Sequence, residues 1–118
     1  MADIPPSFRL SMPDNFGVDV SDDGGDVIVT VRGEIDVLTA PFLWEQIEPA
    51  LGNITGKLIL DFAELGFIDS MGLGVIVRAQ SRLRGEGPER QIVIRNANAH
   101  ARKVFEITGL DRVLDIQP

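Results

Sequence analysis

In Phe67-Ile68-Asp69-Ser70-Met71-Gly72-Leu73-Gly74, a serine sits between an upstream apolar strand, Leu58-Ile59-Leu60, and a downstream helical run from Val75 to Leu83. This layout predicts a strand, a short loop and a helix that starts at Ser70. Free backbone N–H groups and the positive end of the helix dipole gather at such a start. A serine there has two uses. It can cap its helix, which local physics favours because Ser is a preferred N-cap residue, or it can stand exposed as a modifiable hydroxyl.

The flanking sequence extends this unit into a domain. Residues 1–14 hold three of the seven prolines and read as an irregular N-terminal arm, although Phe8, Leu10 and Met12 alternate as a short edge strand would. Phe16-Gly17-Val18-Asp19-Val20 and Val27-Ile28-Val29-Thr30-Val31 alternate with period two around the turn signal Ser21-Asp22-Asp23-Gly24-Gly25, which predicts a β-hairpin. Thr39 offers a cap and Pro41 suits a first helical turn. Phe42, Leu43, Trp44, Ile47, Ala50 and Leu51 then form an apolar stripe closed by Gly52. A third strand is expected over Lys57 to Asp61. The helix after Ser70 should reach about Arg84, a fourth strand should cover Gln91 to Arg95, and a last helix capped by Asn98 should end at Gly109. Val113-Leu114-Asp115-Ile116 reads as a short final strand or turn. A hairpin followed by strand–helix units implies an α/β domain over residues 15–118, with a mixed four- to five-stranded sheet and helices packed on it.

Composition narrows the function classes. The 118 residues, 44% apolar and 25% charged, suit one globular domain with its own core. Without cysteine there is neither a disulfide framework nor a thiolate metal site, and a single histidine, His100, gives little for a nitrogen-ligand site. The N-terminal residues lack the basic and apolar regions of a signal peptide and no apolar run approaches a membrane span, so a soluble, cytoplasmic protein without membrane insertion is expected. A net charge of −7 argues against direct nucleic-acid binding. The charge is uneven: residues 1–77 carry 13 acids and 3 bases, residues 78–118 carry 5 acids and 8 bases. Solvated faces explain this, and so does electrostatic orientation of a partner.

Three segments resemble the STAS domain, and more closely the bacterial anti-sigma factor antagonists. Val31-Arg32-Gly33-Glu34-Ile35-Asp36 with Thr39-Ala40-Pro41 is similar to the family's Gly-Glu-(Leu/Ile)-Asp segment and the helix after it. Leu58 to Phe62 through Phe67 to Gly74 is similar to its strand, loop and Asp-Ser-Ser-Gly-Leu-Gly signature, with Met71 in place of the second serine. Val104-Phe105-Glu106-Ile107-Thr108-Gly109-Leu110 is similar to its C-terminal helix and Gly-Leu stop. The resemblance implies partner switching. An unphosphorylated antagonist binds an anti-sigma factor that is also a serine/threonine kinase and frees the sigma factor. Phosphorylation at Ser70 breaks that complex, and a serine phosphatase resets it. Regulation of transcription of the stress-response or sporulation type follows, and a weak homodimer stays open.

The resemblance makes Ser70 the phosphoacceptor and Asp36, Asp69, Ser70, Met71, Gly72, Gly74, Val75 and Arg78 the partner-binding set. Helical spacing buries Leu73, Ile76, Val77, Gln80 and Leu83 against the sheet and groups Met71, Gly74, Val75, Arg78 and Arg82 beside Ser70. That second face is either an adaptable binding surface or core under a neighbouring element. Gly72 and Gly74 either permit close helix–sheet packing or let a kinase cleft approach Ser70. Asp36 either shapes the surface or holds its loop, His100 is expected to sit solvated, and Trp44 is expected to be core or half-buried. Catalysis has little support: no Gly-x-Ser-x-Gly elbow surrounds Ser70, and there is no phosphate-binding Gly-Lys loop. No cofactor, metal or catalytic residue is expected. The competing role is a non-switching accessory subunit of a lipid-transport ATPase or a stressosome-type assembly, in which Ser70 is only a cap.

Overall fold

The structure is a computed structural model and describes residues 16–88 and 90–118. The N-terminal arm expected over residues 1–14, including the alternating Phe8, Leu10 and Met12, lies outside the described residues. Strands β1 (Gly17–Asp23) and β2 (Asp26–Ile35) pair antiparallel. The turn signal contracts to Gly24-Gly25, because Ser21 to Asp23 pair with Ile28 to Asp26. Both glycines have positive φ, 61° and 98°, which a two-residue hairpin turn requires and other residues resist.

From β3 onward every strand is parallel to the one before it. Helix α1 (Ala40–Leu51) leads to β3 (Leu58–Ile68), α2 (Ser70–Glu86) to β4 (Val93–Arg95), and α3 (Ala99–Thr108) with a 3-10 turn (Leu110–Arg112) to β5 (Asp115–Ile116). The five strands lie side by side in chain order. Right-handed crossovers in that order place all three helices on one face of the sheet. Val29, Val31, Leu58, Leu60, Phe62 and Ile94 fill that face beneath Leu43, Ile47, Ile76, Leu83 and Phe105. Phe62 stacks on Phe105 with ring centroids 6.5 Å apart. None of the described helices is long and apolar enough to cross a membrane.

The third strand runs to Ile68 rather than ending at Asp61. Thr30 pairs with Asp61 but Arg32 with Glu64, and Gly33 pairs with Leu65 but Glu34 with Phe67. Each step leaves one extra residue on β3, a β-bulge. The buried positions therefore fall at 58, 60, 62, 65 and 68, and the lost alternation reads as loop in the sequence. Asp61 anchors the first bulge. Its Oδ1 accepts from the Ala63 N–H at 3.0 Å and from the Asn96 amide at 3.1 Å, and its Oδ2 pairs with Arg95 at 3.0 Å. Burial pushes the Asp61 carboxyl up, but these three donors outweigh it and hold its pKa below the ordinary value of 3.8.

The fourth strand begins at Val93, later than the expected Gln91. Buried Gln80 takes the place of a strand partner there: its Oε1 accepts from Ile92 N–H at 2.7 Å and its Nε2 donates to Arg90 O at 2.9 Å. Val77, expected to bury, is 46% exposed, and Ala79 is fully buried instead. The packed line of α2 runs through Gly72, Ile76, Ala79, Gln80 and Leu83, and Val77 lies off it.

Candidate functional site

Two turns meet at the C-terminal ends of β2 and β3. Ile35 pairs with Ile68, and the Asp69 N–H donates to Ile35 O at 3.0 Å, so the residues after each strand are neighbours. The loop expected before Ser70 is a single residue, Asp69. Its extended backbone makes it the N-cap of α2, and its Oδ1 accepts from Met71 N–H at 2.9 Å and Gly72 N–H at 3.2 Å. Asp69, not Ser70, therefore caps the helix. Asp caps as well as Ser does, and it occupies the last non-helical position. Ser70 is the first helical residue, exposed, and its hydroxyl makes no hydrogen bond among the described residues.

Asp36 and Thr39 hold the companion turn. Asp36 Oδ1 accepts from Leu38 N–H at 2.9 Å and Thr39 N–H at 3.1 Å. Thr39 Oγ1 turns away from α1: it donates to Glu34 O at 2.7 Å and accepts from Asp36 N–H at 2.9 Å. The Thr39 side chain thus locks the strand end instead of capping α1 as expected. Between these anchors Val37 and Leu38 are exposed, as are Phe67 and Met71 across the way. Four large apolar side chains are thus exposed around these two turns.

The two glycines of α2 have separate tasks. A Cβ on Gly72 would lie 2.6 Å from Ile35 Cγ2 and 2.7 Å from Ile68 Cγ1, so Gly72 is buried by close packing of helix on sheet. A Cβ on Gly74 would meet nothing within 4 Å. Of the sequence-derived set, Ser70, Met71, Gly74, Val75 and Arg78 share one wall of a groove of about 470 Å³, and Ala40, Pro41, Trp44 and Glu45 of α1 form the other. Asp36 and Asp69 stand beside this wall with carboxylates engaged by backbone N–H groups, and Gly72 lies beneath it. Trp44 is half-buried and carries the Arg78 guanidinium 4.1 Å from its ring centroid.

His100 has a neighbour that sequence reading missed. It is exposed, yet its ring stacks on Phe67 with centroids 5.1 Å apart, and its Nε2 lies 3.4 Å from Ile68 O. Asn98 caps α3 through Ala101 N–H at 2.8 Å and donates from its amide to Leu65 O at 3.0 Å. The start of α3 is thereby fastened to the last residues of β3. No local signal joins two residues 33 positions apart.

This geometry agrees with comparison to known proteins. The family model described as "Mlab, STAS domain" matches residues 18–116. The chain belongs to the STAS-domain family. This STAS domain is 33% identical to the anti-sigma-B factor antagonist of Bacillus subtilis over 102 residues, covering 86% of this chain and 91% of the relative. The crystal structure of an anti-sigma factor antagonist from Mycobacterium paratuberculosis superposes with a TM-score of 0.77 at 31% identity, covering 92% of this STAS domain and 91% of that chain. The phosphorylated form of the Bacillus cell-fate determinant SpoIIAA gives 0.65 at 25% identity, covering 87% and 91%. These relatives are named for regulation, not for a catalysed reaction.

Proposed function

We propose that this STAS domain is a cytoplasmic anti-sigma factor antagonist that works by partner switching at Ser70. In its unmodified form it binds an anti-sigma factor serine kinase and releases a sigma factor. The kinase then transfers a phosphoryl group: Ser70 Oγ attacks the γ-phosphorus of ATP, the β–γ bridging P–O bond breaks, ADP leaves, and the hydroxyl proton passes to a base of the kinase. A serine phosphatase reverses the mark by hydrolysis. The observation that carries this reading is the uncommitted, exposed Ser70 hydroxyl. With Asp69 already capping α2, Ser70 has no structural task at the lip of an apolar groove.

The chemistry follows from the same placement. A phosphoserine adds about −1.5 to −2 charges and three acceptor oxygens. The N–H groups of Met71 and Gly72 that would receive it are engaged by Asp69, so the phosphate stays available to whatever docks there. The binding surface extends over Met71, Gly74, Val75 and Arg78, with Asp36, Asp69 and Gly72 holding it in shape. Burying an uncompensated dianion against a partner is strongly unfavourable.

Ser70→Ala is expected to bind the anti-sigma factor persistently and keep sigma-dependent transcription on. Ser70→Asp should bind on the order of 100-fold more weakly, the scale of about 3 kcal/mol for an unpaired interfacial charge. Phosphopeptide mass spectrometry on protein from its native cells, with co-purifying proteins identified, tests the reading directly. Ser70 unmodified under all conditions, with an ATPase subunit bound at constant stoichiometry, would instead favour the accessory-subunit role.

A further inference from the structure

The groove between α1 and α2 changes character along its length. Near Ser70 it is apolar, walled by Ala40, Pro41, Met71 and Val75. Two turns along α2 it reaches Arg78, whose guanidinium lies on the Trp44 indole at 4.1 Å. Arg82 approaches the same ring at 5.9 Å but is paired with Glu48 at 3.5 Å. Arg78 has no ion-pair partner among the described residues. Glu45 on the facing wall is the single acid of the lining, and it makes no ion pair with Arg78.

A guanidinium stacked on an indole is oriented before anything binds, and stacking leaves its N–H edge open. A fixed planar fork with a free edge matches a carboxylate in bidentate geometry. We infer that Arg78, held on Trp44, is a carboxylate-recognition point, and that the groove takes an acidic segment of the anti-sigma factor with an apolar side chain beside its carboxylate. The apolar side chain fills the Ala40–Val75 end and the carboxylate engages Arg78. This inference rests on the proposed function for the identity of the partner. It adds an anchor some two helical turns from Ser70, which a change at the hydroxyl leaves in place.

The test is calorimetric titration of the full chain with the anti-sigma factor that co-purifies with it, at low and high salt. Arg78 is exposed, so Arg78→Ala should fold normally and bind about tenfold more weakly, with a shallower salt dependence than wild type. Arg78→Lys should recover only part of that loss, because an ammonium cannot bind a carboxylate through a planar fork. Glu45→Gln should tighten binding by about two- to threefold, through removal of a like charge facing the incoming carboxylate. A wild-type chain that binds no anti-sigma factor would overturn the functional reading itself. Normal wild-type binding with Arg78→Ala unchanged, or with Glu45→Gln weakened, would overturn this inference alone; the second result would mark a basic occupant.

Discussion

Thr39 and Ser70 both stand where a parallel strand hands over to a helix, on neighbouring strands of one sheet, yet their hydroxyls differ. Thr39 is 2% exposed, and its hydroxyl bridges Glu34 O and Asp36 N–H. Ser70 is exposed, and its hydroxyl touches no polar partner among the described residues. The carboxylates explain the difference. Asp36 lies three residues before Thr39 and serves the turn itself, so the hydroxyl is needed to close the strand end. Asp69 lies directly before Ser70 and caps α2 alone. A hydroxyl near a helix start is free for other work only when a neighbour has already met the backbone's demand.

Substitutions at these two turns sharpen the contrast. The largest effect should come from beneath the Ser70 turn. Gly72→Val would drive side-chain atoms into Ile35 and Ile68 and should cost about 3 kcal/mol in urea unfolding, at the upper end of overpacking losses. Gly74→Ala, with open space around it, should gain about 0.5–1 kcal/mol from helix propensity. Next, Thr39→Val leaves Glu34 O and Asp36 N–H without a partner and should lose about 1–3 kcal/mol, whereas Ser70→Ala should unfold at the wild-type denaturant midpoint. Equal losses at Thr39 and Ser70 would break the comparison. The smallest effect is expected at Asp61, which holds the bulge that steers β3 toward the site. Its pKa is lowered on folding, so its stabilisation is fully present above the unfolded value of 3.8 and is lost as pH falls from there through the lower folded value. Asp61→Asn should therefore be less stable than wild type near about pH 7, and the gap should narrow as pH falls below 3.8.

Much of the architecture was legible because its signals are local. Gly24-Gly25, the Pro41 helix start, the Asn98 cap and the apolar stripe of α1 each act within a few residues. The course of β3 was not legible, since two bulges replace period-two burial with spacings of three. The sequence singles out Ser70 as a candidate site residue, but its physical state was not legible there. Whether Asp69 or Ser70 caps the helix depends on which residue has the extended backbone, a difference of one position. The Phe67–His100 stack and the Trp44–Arg78 stack join residues more than 30 positions apart. They exist only once the sheet order brings β3 beside α3 and α1 beside α2.

The close seating of Gly72 has a consequence for how news of Ser70 can travel. With no side chain between α2 and the residues Ile35 and Ile68, the helix start has no slack to slide or tilt when its first residue is altered. Under the switch proposed above, a mark written on Ser70 would be legible only by touch. Any second protein that must know the state has to sit on the same few side chains, so two readers exclude one another. Under that proposal the outcome in the cell would become a contest of copy numbers and residence times.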